Sequence, residues 1–333
     1  MSIVEAAAPV TPAVPATGLR RTRRALDRAG DRLLGLLTSL AALLSTLLLV
    51  GIAWQLIGKA MPAIRAYGIG FVWESAWRLP TPAAKEIYGA REFLIGTLVT
   101  SFGAVLIAAP LSVAIALFLS ELAPPRIRGP IGSLVDMLAA VPSVVIGLWG
   151  ILVLGPFVHS TIEPWLNDVL GWIPIFGSRA QAPESVFTAM LVLAIMATPI
   201  ISSICRELFA NVPKDLQEAA IGLGATRWEM VRGVVLPSVR GGIVAATILG
   251  LGRALGEAIA VTQVVGGVFH ISASLFQPGT TLASQLAAQY SSNISPLNQA
   301  SLIYLGLILL VITFGANFSA QWIVRQFDRR SMR

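Results

Sequence analysis

The chain has 333 residues, 55% of them apolar and 12% charged, with a mean hydropathy of +0.76. Soluble chains carry roughly a quarter charged residues, so this composition excludes a water-soluble enzyme and a disordered chain. One cysteine, Cys205, excludes an internal disulfide framework, and two histidines argue against a protein metal site. The net charge of +7 and pI near 10.3 are the marks of a nucleic-acid binder in a soluble chain; in a membrane chain they are first a record of topology.

Crossing the hydrocarbon core as a helix takes about 20 mostly apolar residues. Residues 1–32 come before any such run and read as a disordered basic tail. Residues 1–18 lack arginine and a continuous apolar core, unlike a signal peptide, and six arginines lie between there and Arg32. Six spans are then expected: Leu33–Gly58, Phe93–Ser120, Ile131–Val158, Val186–Cys205, Gly242–Val268 and Leu297–Val324. Residues 325–333 form a second basic tail. Long apolar runs satisfy their backbone hydrogen bonds only as helices, so the expected fold class is an all-α membrane protein.

Lys and Arg between the spans set the orientation. The tails, the second–third loop and the fourth–fifth loop hold seventeen; the opposite side holds six; Arg253 alone lies inside a span. Both termini are therefore expected in the cytoplasm, and the charge offers no case for nucleic acid. Residues 59–92, an outward segment, carry Tyr67, Phe71, Trp73, Trp77 and Tyr88, and residues 159–185 carry Trp165 and Trp172. Amphipathic rings favour the headgroup layer, so bilayer anchoring is expected rather than a ligand box. His159 and His270 read as isolated surface residues. Residues 269–296 form a third, uncharged outward segment.

The stretch 211–237 is polar enough to leave the bilayer. Pro213 suits a first helical position, Asp215 and Glu218 a helix N-terminus, and Gly222 and Gly224 an interruption. Thr226 and Glu229 have capping-box spacing for a second short helix, which Pro237 is expected to end. The outcome is a helix–turn–helix elbow with a small face at Ala219 and Ala220, or else an ordinary ordered loop.

Arg253 and Glu257 stand four residues apart near the middle of the fifth span, on one face of a continuous helix. Each charge at mid-bilayer costs roughly 2.5–3.5 kcal/mol on insertion scales, so the two must face the bundle or water and pair. Arginine's planar fork suits a tetrahedral oxyanion, and a neighbouring glutamate weakens that binding enough for release. A buried ion pair that pins helices is the competing reading, and Gly252 and Gly256 have the small-residue spacing of close helix packing. Asp136 is expected near the cytoplasmic end of the third span, in an interfacial or packing role. The sequence has no phosphate-binding P-loop around Lys59, Lys85 or Lys214, no dinucleotide glycine pattern, and no nucleophile–base pair for an intramembrane enzyme.

Residues 218–237 resemble the cytoplasmic signature of ABC importer permeases, through Glu218-Ala219-Ala220, Gly224, Val234 and Leu236-Pro237. The stretches 250–267 and 138–156, with 95–101 and 116–124, are similar to the phosphate-specific permeases of the PstC type. The resemblance implies the type I importer (MetI-like) fold over residues 93–324, with a coupling elbow at 211–237. It implies an ATPase-coupling role for Glu218, Ala219, Ala220, Gly224, Leu236 and Pro237, and a place for Arg253 and Glu257 on the phosphate path. It further implies a second permease (PstA type), an ATPase dimer (PstB type) that holds ATP and magnesium, and a phosphate-binding protein (PstS type), all at a bacterial inner membrane. No cofactor, metal or catalytic residue is expected in this chain. Sulfate or molybdate permeases share the Arg-Ala-Leu-Gly-Glu core, but commonly continue with an aromatic residue and glycine where this chain has Ala258-Ile259-Ala260-Val261. An ion-coupled secondary transporter is the rival of another class; it predicts broken helices at the midplane and an internal repeat.

Overall fold

A computed structural model describes residues 19–80, 85–270, 272–292 and 295–331, with the backbone alone for 19–29, 320 and 323–331. It divides into two units, residues 1–55 and 56–333. In the first unit, α1 (Leu19–Tyr67) begins well inside the segment expected as a disordered tail. Arginine, alanine and leucine are good helix formers, and no proline interrupts before Pro62. Residues 1–18 lie outside the described residues. Leu33, Leu37, Leu40, Leu44 and Leu48 are each more than half exposed, as suits a helix apolar on every side.

The second unit is built around α7 (Val186–Ala210), whose apolar stretch is 72% buried. Ser185 caps it, its Oγ accepting from the Thr188 N–H at 3.1 Å. Along α7 pack α2 (Arg91–Leu117), α3 (Pro125–Ala140) and α10 (Leu236–Leu255). Glycines set the spacing: a Cβ at Gly103 would strike Met190, at Gly242 Leu208, and at Gly250 Ile201. Close backbone approach across small residues is how membrane helices gain packing energy. Gly252 and Gly256, the pair expected to serve that end, meet nothing closer than 3.5 Å.

Six helical runs are long and apolar enough to cross a membrane: Gly30–Val72, Arg91–Leu122, Ser143–Leu170, Val186–Ala210, Arg227–Leu255 and Pro296–Ser319 among the described residues. Two differ materially from expectation. The third was expected at Ile131–Val158, but Pro142 holds Val141 extended (φ −67°, ψ 128°) and divides that stretch. On its N-terminal side stands α3, a separate helix. On its C-terminal side stand α4 (Ser143–Trp149), α5 (Gly155–Phe157) and α6 (Glu163–Leu170), joined by π-turns at Gly150–Leu154 and Val158–Ile162. Asp136 therefore sits on α3, where it pairs with Arg206 of α7.

The fifth span, expected at Gly242–Val268, instead covers Arg227–Leu255. Pro237 does not end the short helix before it. A π-turn at Val231–Val235 leads directly into the residue before the proline, as π-turns also lead into Glu163-Pro164 and Gly155-Pro156. A widened turn accommodates both the missing N–H and the ring's clash with the preceding turn.

Of the aromatic residues in the segment before α2, Phe71, Trp77 and Tyr88 are buried in the fold rather than free to anchor at the bilayer. β1 (Trp77–Arg78) pairs antiparallel with β2 (Ile87–Tyr88), Trp77 opposite Tyr88. Phe71, Trp77 and Tyr88 are buried with Phe93, Leu282, Leu302 and Leu305, and Phe71 stacks on Tyr304 with centroids 4.6 Å apart. The partners come from α12 (Leu282–Gln289) and α13 (Pro296–Ser331), and Trp77 Nε1 donates to Gln289 Oε1 at 3.2 Å. Tyr88 hydroxyl donates to Glu86 at 2.9 Å, and burial, reinforced by that carboxylate, pushes its pKa up to about 12. Aromatic area is worth more buried against another ring than at an interface. Trp73, Trp165 and Trp172 remain exposed. His159 is likewise no lone surface residue: its Nδ1 lies 3.0 Å from the fully buried Glu163, which also receives Ser185 Oγ at 3.1 Å and faces Arg179.

Candidate functional site

Most of the functional residues predicted from sequence lie near the two ends of one helical rod, Arg227–Leu255, with Leu236 and Pro237 about a third of the way along it. At its start is the elbow. There α8 (Lys214–Gly222) closes in a reverse turn: the Gly224 N–H bonds to Ile221 O at 2.9 Å and the Ala225 N–H to Ala220 O at 3.1 Å. This double closure requires a left-handed residue after the C-cap, and Gly224 supplies φ +91°. Gly222, also expected to interrupt, is instead the last residue of α8. Then α9 (Arg227–Met230) opens with the expected capping box: Glu229 N–H donates to Thr226 Oγ1, and the Thr226 N–H to Glu229 Oε2 at 2.8 Å.

Glu218, Ala219, Gly224 and Pro237 are exposed, and Ala220 and Leu236 half-buried. Around them stand apolar side chains the sequence reading passed over: Leu223 is 90% exposed, Trp228 64% and Leu216 52%. The legible signal was large apolar residues on a segment too polar to cross a bilayer. An exposed apolar patch on such a turn marks a surface made to be covered.

At the other end the rod stops. α10 closes on Gly256, Glu257 and Ala258 are not helical, and α11 (Ile259–Val264) restarts the chain. Arg253 and Glu257 therefore do not share a continuous helix, as spacing had suggested, yet the break still brings them together: Nη2 lies 3.1 Å from Oε2. Glu257 Oε1 also accepts the Ala260 N–H at 3.2 Å. The cation thus occupies the last turn of α10 and the carboxylate the opening of α11, each opposite in sign to the helix end it faces. Glu257 is 5% exposed, whereas the Arg253 side chain is 45% exposed. A buried carboxylate holds one edge of the guanidinium while the rest of it is exposed. Beside the break, α4 meets α11 so closely that a Cβ on Gly147 would lie 2.7 Å from Ala260 Cα and 2.8 Å from Gln263 Oε1. Gln263 Oε1 is buried without a hydrogen-bond partner. Among the described residues no group of three or more His, Cys, Asp or Glu could hold a metal ion.

Comparison with known proteins places this architecture. Residues 108–333 match the family described as "Binding-protein-dependent transport system inner membrane component". The phosphate transport system permease protein PstC of Pasteurella multocida (strain Pm70) is 39% identical over 321 residues, which cover 94% of this chain and 99% of that one. The PstC of Mesorhizobium japonicum is 41% identical over 297 residues, 88% of this chain and 90% of that one. A subunit of the bacterial alginate ABC transporter superposes with a TM-score of 0.54 at 16% identity, covering 85% of this chain and 94% of its own. A chain of the MetNI methionine ABC transporter, in an inward-facing conformation, gives 0.52 at 17% identity, covering 71% and 94%. Those two likenesses show the fold, that of type I importer permeases. The chain belongs to the family of binding-protein-dependent transport system inner membrane components and, within it, to the PstC-type permeases.

Proposed function

We propose that this chain is the permease subunit of an ATP-driven importer of inorganic phosphate. The observation that carries the reading is the near full-length likeness to PstC proteins, which covers the elbow and the helix break together. Both termini and the elbow face the cytoplasm, as the seventeen-to-six division of basic residues supports. Glu218, Ala219, Ala220 and Gly224 with the apolar side chains around them dock into the ATPase subunits, which hold ATP and magnesium. A second permease completes the path, and a phosphate-binding protein delivers to the opposite face.

When ATP closes the ATPase dimer, movement of the elbow passes along the rod to the break. Phosphate then meets Arg253, whose open guanidinium edge offers paired N–H donors to two oxygens. Glu257 keeps the resting site near neutral, so the anion is held loosely enough to leave. The break itself is the feature a secondary transporter predicted, but an ion-coupled carrier leaves the elbow without a purpose. The phosphate transport named for both relatives favours phosphate over sulfate or molybdate.

The test is uptake of radiolabelled phosphate by cells lacking their own chain, with labelled sulfate as control. Restoration of phosphate uptake by the wild-type chain is expected, and at most a hundredth of it from Arg253→Ala, with the complex assembled and hydrolysing ATP. Wild-type rates from Arg253→Ala would remove Arg253 from the path.

A further inference from the structure

A second basic site lies at the elbow end of the rod, away from Arg253. A cavity of about 460 Å³ opens where the π-turn Phe118–Leu122 after α2, the first turn of α3, the end of α7 and the start of α8 converge, lined among others by Glu121, Arg128, Arg206, Lys214 and Gln217. This is within the roughly 300–1,000 Å³ of small-molecule sites. Arg128, Arg206 and Lys214, from three helices, stand around it with Glu121, and Asp136 pairs with Arg206, while Arg128 and Lys214 make no ion pair among the described residues.

The cations are also poorly occupied. Arg206 is held through Nη2 by Asp136, yet its Nε is buried without a hydrogen-bond partner. Arg128 reaches Ala123 O only at 3.5 Å, and Gln217 reaches Val212 O only at 3.4 Å, both at the weak limit of a hydrogen bond. Helix α8 begins after Pro213, which offers no side-chain acceptor to the N–H groups of the first turn. A tetrahedral anion with several acceptor oxygens answers Arg128, Lys214, Gln217 and the accessible guanidinium edge of Arg206 together, though not its buried Nε.

We propose that this cavity binds a phosphate-bearing anion that bridges α3, α7 and α8 at the root of the elbow. Two sources share the chemistry: inorganic phosphate and the phosphodiester headgroup of an anionic lipid, for which basic cavities between helices at the cytoplasmic boundary are suited. That the cavity opens to the cytoplasm rests on the orientation proposed above; the binding itself does not. An occupant ties the elbow to α7, so its presence is expected to alter how freely the elbow moves.

The experiment uses the purified complex in phosphatidylcholine nanodiscs, with every chain carrying Arg253→Ala so that path binding is lowered equally. Radiolabelled inorganic phosphate is titrated to equilibrium, and phosphatidylglycerol retention is read by native mass spectrometry. The Arg128→Gln/Lys214→Gln variant is compared with its parent. A loss of at least ten-fold in either probe supports the site, and which probe falls identifies the source. Equal binding of both probes by variant and parent overturns it. Should the double variant fail to assemble, the single variants are measured, each with a three-fold loss expected and unchanged binding again overturning the site. Only differences are read, so failure here leaves the uptake result for Arg253 standing, and the converse also holds.

Discussion

The rod Arg227–Leu255 is interrupted at both ends, and the two interruptions are built by different physics. At the elbow, the turn Leu223–Ala225 is fixed by a left-handed glycine, two backbone hydrogen bonds and the following capping box of Thr226 with Glu229, all near the surface. At the break, Gly256–Ala258 is fixed by one ion pair and one charged cap, with the carboxylate buried and the guanidinium half exposed. The first kind of stop is held by contacts within a few residues of each other. The second depends on charge, so anything that competes for Arg253 acts on the stop itself. An anion arriving at Arg253 weakens the hold on Glu257, which also caps α11. On the proposed path, binding and helix geometry would thereby be linked at one end of a rod roughly 40 Å long, with the elbow at the other end.

This contrast is broken most severely at the charged end. Glu257→Ala removes both the ion pair and the α11 cap. Losing one member of a fully buried pair costs roughly 3–5 kcal/mol; because Arg253 is half in solvent, about 2 kcal/mol is expected. Thermal unfolding of the detergent-purified protein should show the loss as a lower melting temperature. Glu257→Gln separates the two roles. The amide oxygen still accepts the Ala260 N–H and can accept from Arg253, so a smaller fall in melting temperature than for Glu257→Ala is expected. The guanidinium is no longer neutralised, so phosphate is held longer: uptake kinetics should show turnover down about ten-fold with a lower KM. Equal effects on KM and stability from both substitutions would mean that the charge does nothing beyond capping.

At the elbow the effects are smaller and purely conformational. Gly224→Ala forces a Cβ into φ +91° with nothing within 4 Å to strike, a backbone cost of roughly 1–2 kcal/mol. The expected signs are faster amide exchange over Leu223–Thr226 and a higher ratio of ATP hydrolysed to phosphate moved. Thr226→Ala, which deletes one half of the capping box, should cost about 1 kcal/mol, and Thr226→Ser should restore most of it.

The two ends also differed in how much the sequence disclosed. The elbow was readable because its determinants lie within four residues of each other: Thr226 with Glu229, Gly224 after a helical stretch. The break was hidden because apolar composition runs straight through it, from Gly242 to Val268. α10 ends at Gly256 without a breaker such as proline, and the contacts at its end, Arg253 with Glu257 and Glu257 with the Ala260 N–H, have spacings that a continuous helix would also give. Pro237 misled in the opposite direction, since a π-turn absorbs what proline ordinarily ends. Pro142 was the converse error, a true break inside a stretch of hydropathy long enough to span. The aromatic cluster of Phe71, Trp77 and Tyr88 was illegible for another reason: its partners Leu282, Leu302 and Leu305 lie some two hundred residues away in the chain. Hydropathy locates membrane helices; it does not say where they bend or what folds back on them.

Gly222→Ala gives the smallest effect and the sharpest test of the elbow's logic, because its sign is opposite. Gly222 and Gly224 are two residues apart, both with open space where a Cβ would go. Only Gly224 has positive φ; Gly222 is helical. In a helix, alanine is favoured over glycine by roughly 0.5–1 kcal/mol. Gly222→Ala should therefore slow amide exchange in α8 by up to about five-fold while leaving uptake unchanged, whereas Gly224→Ala speeds it. If the two substitutions act alike, the elbow does not owe its shape to one left-handed residue, and the docking face must be set by the partner rather than carried ready-made by this chain.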